Sequence, residues 1–198
     1  MATDKLIAGR NAKYFMAPYS SGVTVLPANT VLWGTGWGGS WVDVGYTQDG
    51  LTLTIETETG EIFVDQVEDA MRRPVTGRTI MVETNLAENT LANMQRAVGY
   101  GAIATNAAGS GTRGDDTLTI TAGSKPTIYA FGADIQDDES TEAVRFVIYR
   151  GQATGSVAST FGMSDANAQV PLQITALPDP TTSPARLLAV RHVIAALP

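Results

Sequence analysis

The sequence predicts a mainly β fold carrying one α-helix, on three observations. The chain is rich in strand and turn formers, with 25 Thr and 20 Gly among 198 residues. Thr suits a pleated, half-buried surface, and Gly suits turns and bulges. Several segments alternate apolar and polar residues with the period of two that a strand requires. Only one segment carries helical periodicity with capping residues at both ends.

Taken in order, the first strand is predicted at residues 13–17, ahead of a glycine-rich stretch over 29–46. Trp33, Trp37 and Trp41 fall four residues apart, the spacing of a helical stripe. Gly34, Gly36, Gly38 and Gly39 lie between them, and each costs about 1 kcal/mol in a helix interior. The segment therefore reads as a loop with aromatic anchors. Residues 51–59 alternate cleanly: Leu51, Leu53 and Ile55 point to one side, and Thr52, Thr54, Glu56 and Glu58 to the other. A second strand is predicted at 78–83, with Ile80 and Val82 inward. The connection between them, residues 60–77, has a length usually reserved for function. It is acidic through Glu61, Asp65, Glu68 and Asp69, then turns basic at Arg72 and Arg73.

The helix follows. Asn85 is the predicted N-cap, and Glu88 three residues later completes a capping box. Ala87, Leu91, Met94 and Val98 form one apolar stripe, the predicted core face, and Gly99 closes the helix. Further strands are predicted at 117–121, 127–131, 143–149, 170–177 and 187–194. Pro178-Asp-Pro-Thr-Thr-Ser-Pro184 is a rigid connector. There is no internal repeat, and the whole chain, 1–198, reads as a single domain with an N-terminal arm and the long connection at 60–77.

Composition removes several function classes. Cys is absent, so disulfides, Cys-ligated metals and a cysteine nucleophile are excluded. Thirteen basic against twenty acidic residues leave a net charge of −7, which argues against clinging to DNA or to an anionic membrane. The beginning of the chain lacks an apolar stretch of signal-peptide length. The apolar run at 187–197 is interrupted by Arg191 and His192 and is too short to span a bilayer.

No catalytic constellation survives inspection. Gly109-Ser-Gly-Thr-Arg-Gly114 matches a dinucleotide-binding spacing, but it neither follows a strand nor opens a helix, so it reads as a loop. His192 is the sole histidine and has no nucleophile elbow to serve. It reads as a structural imidazole. Asp134, Asp137, Asp138, Glu139 and Glu142 lack the spacing of a calcium loop and read as a solvated acidic run. No cofactor and no metal is expected.

Residues 41–91 carry a more specific signal. Trp41-Val-Asp-Val-Gly-Tyr-Thr-Gln-Asp-Gly50 precedes a strand bearing Glu56 and Glu58. Glu61-Ile-Phe-Val-Asp-Gln66 follows, then Arg72-Arg-Pro-Val-Thr-Gly-Arg78 and a strand leading into Asn85-Leu-Ala-Glu-Asn-Thr-Leu91. This block resembles the major tail tube proteins of long-tailed, non-contractile bacteriophages. The closing segments 171–177 and 185–193 resemble that family's last two strands.

The resemblance implies two packed β-sheets, a β-sandwich or partial barrel, with one flanking helix. It implies hexameric rings that stack into a tube conducting double-stranded DNA. The expected partners are other copies of the chain and further tail proteins such as the tape measure and tail terminator. No membrane partner is expected, and DNA passes without specific binding. The expected location is the virion tail, after assembly in the host cytoplasm.

Within that frame, Glu61, Asp65, Glu68, Asp69, Arg72 and Arg73 are expected to contact the neighbouring ring. Thr52, Thr54, Glu56 and Glu58 are expected to face the lumen. The alternatives are another virion structural protein (a tail terminator or head-decoration protein) and a carbohydrate-binding β-sandwich using the three tryptophans.

Overall fold

The computed structural model describes residues 11–20, 26–65, 67–136, 142–158 and 169–194. The fold is mainly β, with twelve strands and one helix among these residues. Eight strands form one antiparallel sheet. Its path runs β2 (Val42–Asp43), β1 (Asn11–Pro18), β9 (Ile128–Gln136), β10 (Ala143–Ala153), β11 (Val170–Ala176), β6 (Val75–Leu86) and β3 (Thr47–Thr59). The eighth, β12 (Leu188–Val193), also pairs with β10.

One edge of β10 is therefore shared. Residues 143–148 pair with β12, and residues 151–153 pair with β11. The pairing of β10 with β9 shifts register between Ile148 and Gly151, and such an irregularity bends a strand. A Cβ on Gly151 would stand 2.6 Å from the Ile174 side chain, so only glycine lets β11 approach there. Both halves of this one continuous sheet, β1–β9–β10 and β11–β6–β3, contribute to a common core.

The main core fills the fold of that sheet. Tyr14 and Met16 from β1, Phe131 from β9 and Phe146 and Ile148 from β10 meet Ile80, Val82 and Leu86 from β6 and Leu172 and Ile174 from β11. A second cluster covers the opposite face, where Phe15, Val147 and Tyr149 pack under Trp37, with Leu26, Val31 and Trp41 at its border. β1 and β10 are thus buried on both faces, which is why their burial is nearly continuous rather than alternating. Trp37 lies flat over Gly132, where any Cβ would collide with its ring. The tryptophan segment is a loop with aromatic anchors, as the sequence predicts.

An ion pair holds that loop down. Arg145 and Asp134 are cross-strand partners on β10 and β9, both buried, with Nε donating to Oδ1 at 3.0 Å. The rest of the guanidinium donates to the carbonyls of Ala28 (3.3 Å) and Val31 (2.6 Å). Trp33 Nε1 donates to the Asp134 carbonyl at 3.3 Å. Asp134 is therefore a buried strand residue, not part of a solvated acidic run. Asp137, Asp138 and Glu139 lie outside the described residues, as do residues 1–10, where an N-terminal arm is expected.

Two further corrections concern the helix and the long connection. The helix α1 spans Leu91–Val98, and its N-cap is Thr90, whose hydroxyl accepts from the Asn93 amide at 3.1 Å. Asn85 instead belongs to β6, because pairing of β6 with both β3 and β11 carries that strand on to Leu86. Glu88 makes no capping box; it accepts from the Tyr46 amide. Gly99 closes the helix at φ 81°, as expected. The buried residues of the helix are Asn93 and Ala97. Leu91, Met94 and Val98 are half-buried, and Ala87 precedes the helix.

The connection at 60–77 is not a loop. β6 begins at Val75, and β4 (Ile62–Val64) and β5 (Val67–Arg72) form a two-stranded ribbon. A second ribbon, β7 (Ala102–Asn106) with β8 (Asp115–Thr119), carries Gly109 to Gly114 at its tip. His192 sits on β12, with Nε2 3.1 Å from the Glu142 carboxylate. Among the described residues no group of three or more His, Asp or Glu could hold a metal ion. No helix among them is long and apolar enough to cross a membrane.

Candidate assembly surfaces

β3 is the terminal strand of the sheet and pairs on one side only, with β6. Among the described residues, its thirteen residues leave a long row of backbone donors and acceptors with no strand partner on the outer side. An edge of that length is an invitation to pair with another chain.

The strand changes character along its length. Leu51 and Leu53 pack against the main core. Ile55, which the alternation placed with them, is 57% exposed, although its cross-strand partner Ile80 lies in the core. The hairpin leads into the β4–β5 ribbon, a separate two-stranded sheet, the Gly60 amide donating to the Pro74 carbonyl at 2.9 Å. Together they form an arm.

The apolar content of the arm is unusual for a surface. Ile55, Ile62, Phe63, Met71 and Val75 are all exposed, Phe63 by 58% and Met71 by 63%. Apolar side chains gathered on one projection mark a protein-contact site rather than scatter. The charges are arranged differently from the simple split in sequence. Arg73 already meets Glu61 within the arm at 2.9 Å, an exposed pair worth at most about 1 kcal/mol. Asp65, Asp69 and Arg72 are exposed, and the side chain of Glu68 lies outside the described residues. Sequence reasoning weighted the charges and overlooked the greasy residues between them.

The outer face of β3 carries Thr52, Glu56 and Glu58 exposed and Thr54 half-buried. Register extends this face across two more strands. Thr52 faces Glu83, Thr54 faces Met81 and Glu56 faces Thr79 on β6. Glu83 and Met81 in turn face Gln173 and Thr175 on β11. Gln173 Nε2 donates to Glu83 Oε1 at 2.6 Å. This face of the three strands bears no Lys or Arg; Arg78 is the cross-strand partner of Thr57 on the other side. Glu83 was the missed residue, and the alternation of Ile80, Val82 and Thr84 inward could have found it.

The tryptophans form no exposed platform for a sugar. Trp37 is buried and stacks on Phe15 at 4.8 Å, with Trp41 edge-on at 5.1 Å. No curated protein matches the chain. The family model described as phage tail tube protein, however, matches residues 1–194. With that span matched, a strand-rich body, a long open edge and a projecting arm, the chain belongs to the phage tail tube family of structural proteins of the virion tail.

Proposed function

We propose that six copies close a ring, that rings stack into a tube, and that the tube conducts double-stranded DNA without chemistry of its own. The observation that carries this reading is the free edge of β3. Pairing it with the next subunit around a ring removes the exposed edge and turns the polar face of β3, β6 and β11 into a continuous inner wall. Thr52, Thr54, Glu56, Glu58 and Glu83 then line the bore. A wall of carboxylates and neutral groups repels or ignores a polyanion, whereas lysines would hold it.

The arm, with Glu61, Asp65, Glu68, Asp69, Arg72, Arg73 and the apolar residues among them, contacts the neighbouring ring. The subunits assemble in the host cytoplasm, with the tape measure inside the tube and a terminator at its end.

Electron microscopy of the purified protein at rising concentration tests this. Long hollow tubes of six-fold rings are expected. Deleting residues 61–72 should leave a cooperatively folding subunit that stops at rings or monomers. Normal tubes from the deletion variant would remove the arm from the stacking interface, and monomers alone from the parent at millimolar concentration would overturn the whole reading.

A further inference from the structure

We propose that a hollow at the start of β3 is the seat that receives the arm of the next copy, a proposal that rests on the tube reading above and assigns the arm its partner surface. Just before β3 begins at Thr47, the residues Asp43, Gly45 and Tyr46 join Ala12, Lys13, Trp33 and Glu88 around a hollow of about 500 Å³. Just after β3 ends at Thr59 come Ile62 and Phe63, with Met71 on the returning strand. Seat and arm therefore lie at opposite ends of one strand. At about 3.3 Å per residue its thirteen residues reach up to about 40 Å. Complementary surfaces at opposite ends of a subunit make a head-to-tail contact, and one that does not close repeats indefinitely.

The hollow has the anatomy of an interface centre, with aromatic walls inside a charged rim. Tyr46 is 81% exposed and Leu32, beside Trp33, is 74% exposed. The walls are fixed before any partner arrives. Trp33 is anchored by its bond to the Asp134 carbonyl. The Tyr46 backbone is held on both sides, its amide donating to Glu88 at 3.2 Å and its carbonyl accepting from Ala87 at 2.9 Å. Lys13 is tied to Asp43 at 3.6 Å and to the Gly34 carbonyl at 3.3 Å. Such preorganisation lowers the ordering cost of association.

The charges choose which part of the arm enters. Among the described residues of the seat Lys13 and Asp43 offset each other, leaving the Glu88 carboxylate in excess. In the arm Glu61 and Arg73 offset each other. Arg72 is exposed opposite Ile62, at the ribbon's end nearest the body. Asp65 and Asp69 stand nearer the tip. Phe63 and Met71 in the ribbon, with Arg72 next in sequence on its other face, are the portion whose chemistry fits. Phe63 and Met71 enter between Tyr46 and Trp33, and Arg72 meets Glu88 at the rim.

The absence of Cys from the chain makes the test direct. A chain carrying Tyr46→Cys and Phe63→Cys is assembled and oxidised, then run under denaturing, non-reducing conditions. A ladder of covalent multimers is expected, and a mixture of the two single-cysteine chains should stop at dimers. Tubes visible by microscopy that yield only monomers after oxidation would overturn the seat while leaving the tube reading intact. A parent chain that forms no tubes overturns both.

Should the double variant fail to assemble, a photoreactive benzoylphenylalanine replaces Phe63 in the parent. Adducts on peptides containing Trp33 or residues 42–46 support the seat; adducts confined to other segments overturn it. In parallel, Tyr46→Ala should raise the concentration needed for elongation about tenfold or more while leaving the subunit's melting temperature unchanged.

Discussion

Arg145 is the most consequential single side chain in the body of the protein. It is buried, paired with Asp134, and donates from its two terminal nitrogens to two carbonyls of the tryptophan loop. Removing one member of a buried pair strands the other charge without water, at a cost of about 3–5 kcal/mol. Arg145→Met should show that loss in urea unfolding of the unassembled subunit, with Trp37 fluorescence shifting as its loop lifts. Adding Asp134→Leu should recover part of the loss, since no unpaired charge then remains.

Asp179 presents a second residue-scale case. Burial works against its ionisation. Hydrogen bonds from Arg186, from the Thr181 hydroxyl and amide and from Tyr19 outweigh that and hold the carboxyl well below its ordinary range. Arg186 also lies over the Tyr149 ring at 4.1 Å, tying the segment to β10. A carboxyl depressed on folding stabilises above its unfolded pKa, about 3.9, and loses that contribution as the pH falls further. Asp179→Asn should therefore be less stable than the parent at pH 6. The gap should narrow steadily below about pH 4 in denaturant titrations; a gap independent of pH would detach Asp179 from acid stability.

At the scale of elements, the helix shows what was legible and what was not. Its existence and its Gly99 stop were readable from local chemistry. Its start was not, because Asn85 and Glu88 imitate a capping box while long-range pairing claims Asn85 for β6. Thr90→Ala should thus cost about 1 kcal/mol through the lost cap, measured by thermal unfolding. Asn85→Ala should spare the helical circular dichroism. Leu91 is only half-buried, so Leu91→Ala should fall below the ~2–5 kcal/mol of a full core truncation.

The strands with clean alternation, β3 above all, were legible because burial on one face writes a period of two. β4 and β5 were not, because their described side chains, Ala70 apart, are exposed and leave no such pattern. The same reasoning applies to the candidate sites. Thr52, Glu56 and Glu58 were readable from β3 alone, whereas the contribution of Glu83 and Gln173 depends on sheet register. The seat joins residues 12–13, 33, 43, 45–46 and 88, which no local pattern connects.

For the whole molecule, the proposed bore turns on the sign of the polar sheet face. Every subunit repeats its carboxylates, so a reversal of sign is multiplied along the tube. Glu56→Lys with Glu58→Lys should leave assembly intact and make tubes take up short DNA duplexes at low salt, releasing them as salt rises. Equal uptake by parent and variant tubes would move this face out of the bore. The run of β3 from the proposed seat to the arm, with register shifts at Gln48/Leu51 and Glu58/Thr59, has a further consequence: it would make the subunit a ruler. With each arm seated on the next copy, the axial repeat is set by the length of one hydrogen-bonded hairpin, and spacing errors cannot accumulate from ring to ring. The ruler also has discrete graduations. Two residues added to both β3 and β6 beyond Ile55 keep every side chain on its face and should lengthen the repeat by up to ~7 Å. A single residue added to each would turn the faces over, so tubes of intermediate pitch should be inaccessible to this chain.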